Sequence, residues 1–294
     1  ATTSEMTTYS VNPIISYKLL PNLNISAGVE YLYLDASLEK KFMLPNPSTG
    51  SLFPDGTQSF EGDGDGVGYN LGLLFSPHPD ISIGASYRSE VKVDIDGHAD
   101  FYLPKKSQSI YGPYFPNTGA DTHIDLPQRV HMGICYKGFA PLTIEGAVRW
   151  EGWSSFQKLT IDLDQPVSPL QETTLVQQRD WKDTWSFNIG AKYALNPNVS
   201  FMAGYLYQNN PVPDHTFEPS IPDSDGHLFT FGTRYAWNSW RITLALGFQH
   251  QESRHKDNSI DDFPNDSSFN PYTSANGNYK SNLFMSGLSV SYKF

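Results

Sequence analysis

Apolar and polar positions alternate residue by residue along most of this chain. Leu23, Ile25, Ala27, Val29, Tyr31 and Tyr33 share one parity, against Asn24, Ser26, Gly28 and Glu30. Ile81, Ile83, Ala85 and Tyr87 stand against Ser82, Gly84, Ser86 and Arg88; Ile242, Leu244, Leu246 and Phe248 stand against Thr243, Ala245, Gly247 and Gln249. The chain ends the same way, with Phe284, Leu288, Val290, Tyr292 and Phe294 opposing Gly287, Ser289, Ser291 and Lys293. Successive strand side chains point to opposite faces, so each segment predicts a strand with one greasy face and one small or polar face. Eleven strands are predicted, over 6–20, 23–41, 66–77, 81–103, 122–138, 142–162, 181–195, 199–209, 227–237, 240–254 and 279–294. No helical period of 3.6 residues competes over a useful length.

The connections are sorted by length. Short turns rich in Pro, Asn and Gly (Pro21-Asn22, Pro77 to Asp80, Gly138 to Pro141, Asn196 to Asn198, Asn238-Ser239) alternate with long polar loops over 42–65, 104–121, 163–180, 210–226 and 255–278. A transmembrane antiparallel β-barrel sorts its connections in this way, and a soluble sandwich has no reason to. Composition agrees: apolar residues are 38%, mean hydropathy is −0.43 and aromatics are 14%. No run approaches the roughly 20 apolar residues of a membrane helix, whereas barrel strands need only about ten alternating residues and carry aromatic girdles. The fold class is therefore all-β, and the terminal strand resembles the closing strand of bacterial outer-membrane barrels. That strand follows a long loop and so runs towards the periplasm, as does the first. Such barrels have even strand numbers, and unpaired edges are not tolerated in lipid. Eleven strands thus leave the sheet unclosed, and the expectation is that strands upstream are missing.

Four segments in order carry a family resemblance: Tyr87-Arg88-Ser89-Glu90-Val91-Lys92, Trp150-Glu151-Gly152-Trp153-Ser154-Ser155-Phe156, Trp181-Lys182-Asp183-Thr184-Trp185, and Asn210-Pro211-Val212-Pro213 followed by Ile221-Pro222-Asp223. Their succession resembles the FadL/TodX family of outer-membrane long-chain fatty acid and hydrocarbon transporters. The resemblance implies a monomeric barrel of fourteen strands, plugged by an N-terminal hatch. It would capture a hydrophobic ligand at the outer loops, hold it in the lumen and release it sideways through a kinked early strand. The chain would be one domain over 1–294, the last eleven of fourteen strands, without hatch or kinked strand. The implied partners are a hydrophobic small molecule (fatty acid, hydrocarbon or detergent) and outer-membrane lipid, with no cofactor. By position Lys40 matches a basic residue that the family uses near the ligand carboxylate, and Arg179 is a second candidate for the head group.

Other candidates come from the residues themselves. Arg88, Glu90 and Lys92 are expected inward on one strand, Arg129 and His131 on the next, and Arg149 and Glu151 on the next, as an ion-pair network or a guide for ligand. Phe42, Met43, Leu44, Leu52, Phe53, Ile110, Tyr111, Tyr114 and Phe115 are greasy for loop residues and suggest a hydrophobic capture surface. Trp150, Trp153, Trp181, Trp185, Trp237 and Trp240 read as girdle residues. Asp63-Gly64-Asp65-Gly66 lacks the closing Glu of a calcium loop and reads as a flexible turn; His250 and His255 lack further zinc ligands. His123 with Asp121 and Asp125, or His215 with Asp214, would be needed for a rim-active hydrolase, but no activated nucleophile accompanies them. A general diffusion porin for small polar solutes is the other alternative. The single Cys135 permits no internal disulfide, and a net charge of −11 argues against nucleic acid as a partner.

Overall fold

A computed structural model describes residues 3–218, 222–258 and 276–293; Phe294 and most of the loop expected at 255–278 lie outside them. Sixteen strands form one antiparallel sheet: β1 (Thr3–Val11), β2 (Ile14–Leu20), β3 (Leu23–Phe42), β4 (Gly56–His78), β5 (Ile81–Arg88), β6 (Val91–Tyr102), β7 (Thr118–Leu126), β8 (Arg129–Phe139), β9 (Leu142–Glu151), β10 (Lys158–Val167), β11 (Glu172–Gln178), β12 (Thr184–Ala194), β13 (Val199–Gln208), β14 (Gly226–Trp237), β15 (Trp240–Lys256) and β16 (Gly277–Tyr292). The count departs from eleven for a local reason. Four predicted strands are interrupted, at Asn12-Pro13, Ser89-Glu90, Pro127-Gln128 and between Glu151 and Lys158, and β11 rises from a segment expected to be loop. Among the described residues no ladder joins β16 to β1 or β2; β16 pairs only with β15, and β1 and β2 pair only with β3.

The sheet forks along β4. Asn70 to His78 pair with β5, whereas Thr57 to Asp65 pair with β6. Below the fork the wall continues β5-β8-β9-β12 and on to β16; above it an extension runs β6-β7-β10-β11. Ser89 spans the break, its N–H donating to Tyr69 O and its Oγ accepting from Tyr69 N, each at 2.9 Å. The segment Asp63-Gly64-Asp65-Gly66 is strand, not a flexible turn, because the fork needs its glycines. A Cβ on Gly64 would stand 2.0 Å from Asp94 O, and one on Gly66 2.3 Å from Lys92 O.

The two halves bury opposite faces. In the wall, large apolar residues such as Ile25, Val29, Leu71, Met132, Phe187, Phe229 and Leu244 are exposed on the outside. In the extension, Leu32, Leu34, Val91, Val93 and Ile95 are packed inside, while Asp35, Asp63, Asp94 and Asp96 face out. The inversion marks a change of solvent, from lipid around the wall to water around the extension. Its placement corrects two expectations. Glu90 and Lys92 do not line the lumen with Arg88: the break flips the pleat, so Val91 and Val93 turn inward while Lys92 is exposed and pairs with Glu90 at 3.7 Å. Trp153 and Trp181 are not girdle residues; they pack edge to face, ring centroids 5.0 Å apart, in an inner cluster with Val212 and Phe217. The other four tryptophans stay on the outer parity, Trp185, Trp237 and Trp240 being exposed there.

Candidate ligand chamber

Inside the extension lies a cavity of about 260 Å³, walled by β1, β3, β4, β6, β7, β10 and the start of the loop after β11. Apolar side chains dominate its lining, among them Leu38, Ile95, Ile124, Leu126, Phe156 and Ile161. A mostly apolar cleft with a few convergent polar groups is the form that small-ligand sites take. Its polar residues include Lys40, Arg179, Gln177 and Glu218, with Glu5, Glu61 and His98 also on the wall, so both cations proposed from sequence line one cavity.

Their states differ. Lys40 continues the inward parity of Leu34, Ala36 and Leu38; it is half-buried, and among the described residues its ammonium has no hydrogen-bond or ion-pair partner. Its neighbour Lys41 points the other way and donates to Thr57 Oγ1 at 3.1 Å. Arg179 is engaged. Its Nη1 contacts a Glu218 carboxylate oxygen, and its Nη2 donates to Gln177 Oε1 at 2.9 Å. Gln177 Nε2 in turn donates to the other Glu218 oxygen at 2.6 Å, Thr216 Oγ1 donates to Arg179 O at 2.6 Å, and the guanidinium lies 5.9 Å from the Phe156 ring. Both charged side chains are only 6% exposed. Glu218 and Gln177 escaped the sequence reading because a loop residue and a short outer strand carry no longer periodicity to fix where they point.

The greasy loop residues converge as a lid over this cavity. Phe42, Leu44, Phe101 and Leu163 form its buried centre, with Phe53, Tyr111 and Phe115 packed against them. Phe42 and Phe115 are 4.9 Å apart between centroids, and Tyr111 OH donates to Pro45 O at 2.8 Å; burial pushes the Tyr111 phenol up from its ordinary pKa. Leu44 and Phe42 are shut off from solvent, so the apolar surface open on the extension includes Leu52, Tyr114 and Leu170, with Tyr102 and Val176.

A charged belt forms the floor. Cross-strand register places Asn70, Arg88, Arg129 and Glu151 in one row over β4, β5, β8 and β9, with His131, Arg149 and Ser186 in the row beneath. Arg88 pairs with Glu30 at 3.1 Å, Ser10 Oγ donates to the same Glu30 oxygen at 2.6 Å, and Arg149 reaches Glu151 at 3.7 Å and Ser186 Oγ at 3.2 Å. Glu30, almost fully buried, is the acid on the inner parity of β3; that parity was visible in sequence, its partner was not.

The hydrolase constellations do not assemble. His123 is exposed on the outer face opposite Asp94, and His215 Nε2 meets Asp180 at 2.9 Å while Asp214 binds Arg254. Neither imidazole meets a serine, threonine or cysteine side chain among the described residues, which also contain no metal-holding cluster.

A long antiparallel wall with its apolar face outward, rising into an extension with its apolar face inward, defines an outer-membrane β-barrel protein. The chain belongs to the family described as outer membrane protein transport protein (OMPP1/FadL/TodX), which matches over residues 1–294. It is 25% identical over 270 residues to a long-chain fatty acid transport protein of Salmonella typhi, covering 85% of this chain and 61% of that one. It is 22% identical to the 47 kDa outer membrane protein of Pasteurella multocida, over 88% of this chain and 58% of that one. Among solved structures, a Pseudomonas aeruginosa FadL homologue superposes with a TM-score of 0.77 at 20% identity, over 98% of this chain and 68% of that one. The P. putida toluene transporter TodX gives 0.66 at 18%, over 98% and 69%. The chain thus spans about three fifths of the length of these two sequence relatives.

Proposed function

We propose that this chain carries the ligand-holding region of a passive outer-membrane channel for hydrophobic compounds, and that its ligand has a carboxylate head. The observation that supports this most is the Lys40 ammonium, which has no hydrogen-bond or ion-pair partner among the described residues, in a mostly apolar chamber. A neutral hydrocarbon, the cargo named for TodX, would leave that charge uncompensated; a fatty acid, the cargo named for the Salmonella relative, would meet it with a charge-assisted hydrogen bond. Ligand is captured at Leu52, Tyr114 and Leu170, passes the aromatic lid and lies along the chamber wall. An alkyl chain gains nothing from entering the polar, charged lumen below, so release runs sideways into lipid. The lid also disfavours a general porin for polar solutes, and the dispersed imidazoles disfavour an enzyme.

The test is uptake of a long-chain fatty acid by cells lacking their own transporter, comparing the complete gene product with its Lys40→Ala variant. Uptake by the parent, reduced about tenfold or more in the variant, is expected for a lost charge-assisted contact. No uptake by the parent removes the proposal; equal uptake by the variant removes the head-group role of Lys40.

A further inference from the structure

The belt beneath the chamber is one anion short. Its row and the row below hold three guanidinium groups, Arg88, Arg129 and Arg149, and one carboxylate, Glu151, while a second carboxylate, Glu30, reaches in from the row above. Glu30 is taken by Arg88 and Glu151 by Arg149. Arg129 stands between Arg88 across β5 and Glu151 across β9; the Glu151 and Glu30 carboxylates lie close enough to act on it, but it makes no hydrogen bond or ion pair with either, or with any other described residue. Like charges directly opposite in a sheet destabilise it, and two cations crowded in this way favour an anion between them. Two further donors in the same rows, Asn70 Nδ2 and Arg149 Nε, are closed to solvent without a partner; the one orphan acceptor of the belt's carboxylates is Glu30 Oε2.

The position is that of a floor. Arg129 follows Leu126 of the chamber lining after a two-residue break, and Arg88 precedes the buried Val91 in the same way. Lys40 lies ten residues along β3 from Glu30, a rise of roughly 33 Å at about 3.3 Å per residue. One alkyl carboxylate therefore meets one cation at a time.

We propose that Arg129, with Arg88 and Asn70, forms a second carboxylate-binding station at the chamber floor, to which a ligand passes from Lys40 with its alkyl chain still in the chamber. This rests on the chamber holding a hydrophobic ligand, and the test separates the two ideas. Dodecanoate and dodecanol are titrated into the purified chain in a non-ionic detergent, following the emission of the chamber tryptophans Trp153 and Trp181. Arg129→Gln should weaken dodecanoate about tenfold or more and leave dodecanol unchanged, and Arg129→Lys should restore most of the loss. Unchanged dodecanoate affinity in Arg129→Gln, or equal weakening of both ligands, overturns the station while the chamber stands. Failure of both ligands to bind the parent chain overturns the chamber reading itself, and the station with it.

Discussion

Arg179 and Glu218 show why a buried cation need not be an available one. Bringing a guanidinium and a carboxylate out of water costs several kcal/mol per ion, and only close pairing with further hydrogen bonds offsets it. Gln177 supplies such bonds to both charged groups, Thr216 holds the Arg179 backbone carbonyl, and the pair ties the loop after β13 to the end of β11. Arg179→Leu removes the cation that neutralises the buried Glu218 carboxylate and should cost about 3–5 kcal/mol, measurable as a lowered urea midpoint in detergent. Replacing both partners with apolar residues should recover much of the loss. Lys40 is the contrasting case: with no hydrogen-bond or ion-pair partner among the described residues, its replacement by Ala should leave the urea midpoint nearly unchanged while weakening carboxylate binding. From sequence the two cations looked alike; only the path of the loop decides which of them is spent on the fold.

At the level of the elements, the extension carries a row of aspartates that no single strand reveals. Asp35, Asp63, Asp96, Asp121 and Asp162 are direct cross-strand neighbours over β3, β4, β6, β7 and β10. Desolvation, and after it the carboxylates of Asp96 and Asp164, hold the Asp121 carboxyl above its ordinary pKa. A group with a raised folded pKa binds its proton more tightly when folded, so the cost of its charge is fully present at neutral pH. That cost is relieved as pH falls through the folded pKa towards the unfolded value of 3.8. Asp121→Asn should therefore raise the melting temperature at pH 7, and the gain should shrink as the pH approaches 4; equal gains at both pH values would show that charge is not the cause. The glycines opposite this row are equally specific. Gly64→Val should destabilise by about 1–3 kcal/mol or more through the clash with Asp94 O, where a flexible turn would tolerate it.

For the whole molecule, the membrane boundary is the organising fact, and it explains what the sequence could and could not disclose. β3 crosses the boundary unbroken, so its apolar residues change parity, from Ile25, Val29 and Tyr31 to Leu32, Leu34 and Leu38. The crossings that carry a break do the reverse. Ile81, Ile83, Tyr87, Val91, Val93 and Ile95 are all odd-numbered, because the change of solvent and the flip of the pleat at Ser89-Glu90 cancel. Leu126 and Val130 keep one parity across Pro127-Gln128 for the same reason. The alternation was therefore a true guide to the number of crossings and a poor one to which way residues such as Glu90 and Lys92 face. The same cancellation hid the inner packing of Trp181, whereas Trp153 turns inward in the single helical turn after β9. In liposomes, quenchers attached to lipid chains should dim single-tryptophan variants retaining Trp185, Trp237 or Trp240 and spare those retaining Trp153 or Trp181; quenching of the latter pair would move the boundary.

The fork also has a mechanical meaning. Above it, β6, β7, β10 and β11 are each separated from the wall by a break, whereas the β3–β4 ladder runs without interruption from Leu23–Phe75 to Phe42–Gly56. The extension is a bracket carried on a two-beam cantilever. Any tilt of the bracket must bend those two strands, and the close backbone approach at Gly64 and Gly66 stiffens them where the bending moment falls. A load on the aromatic lid is thus borne by the hairpin that also presents Lys40 near its tip and Glu30 at the fork.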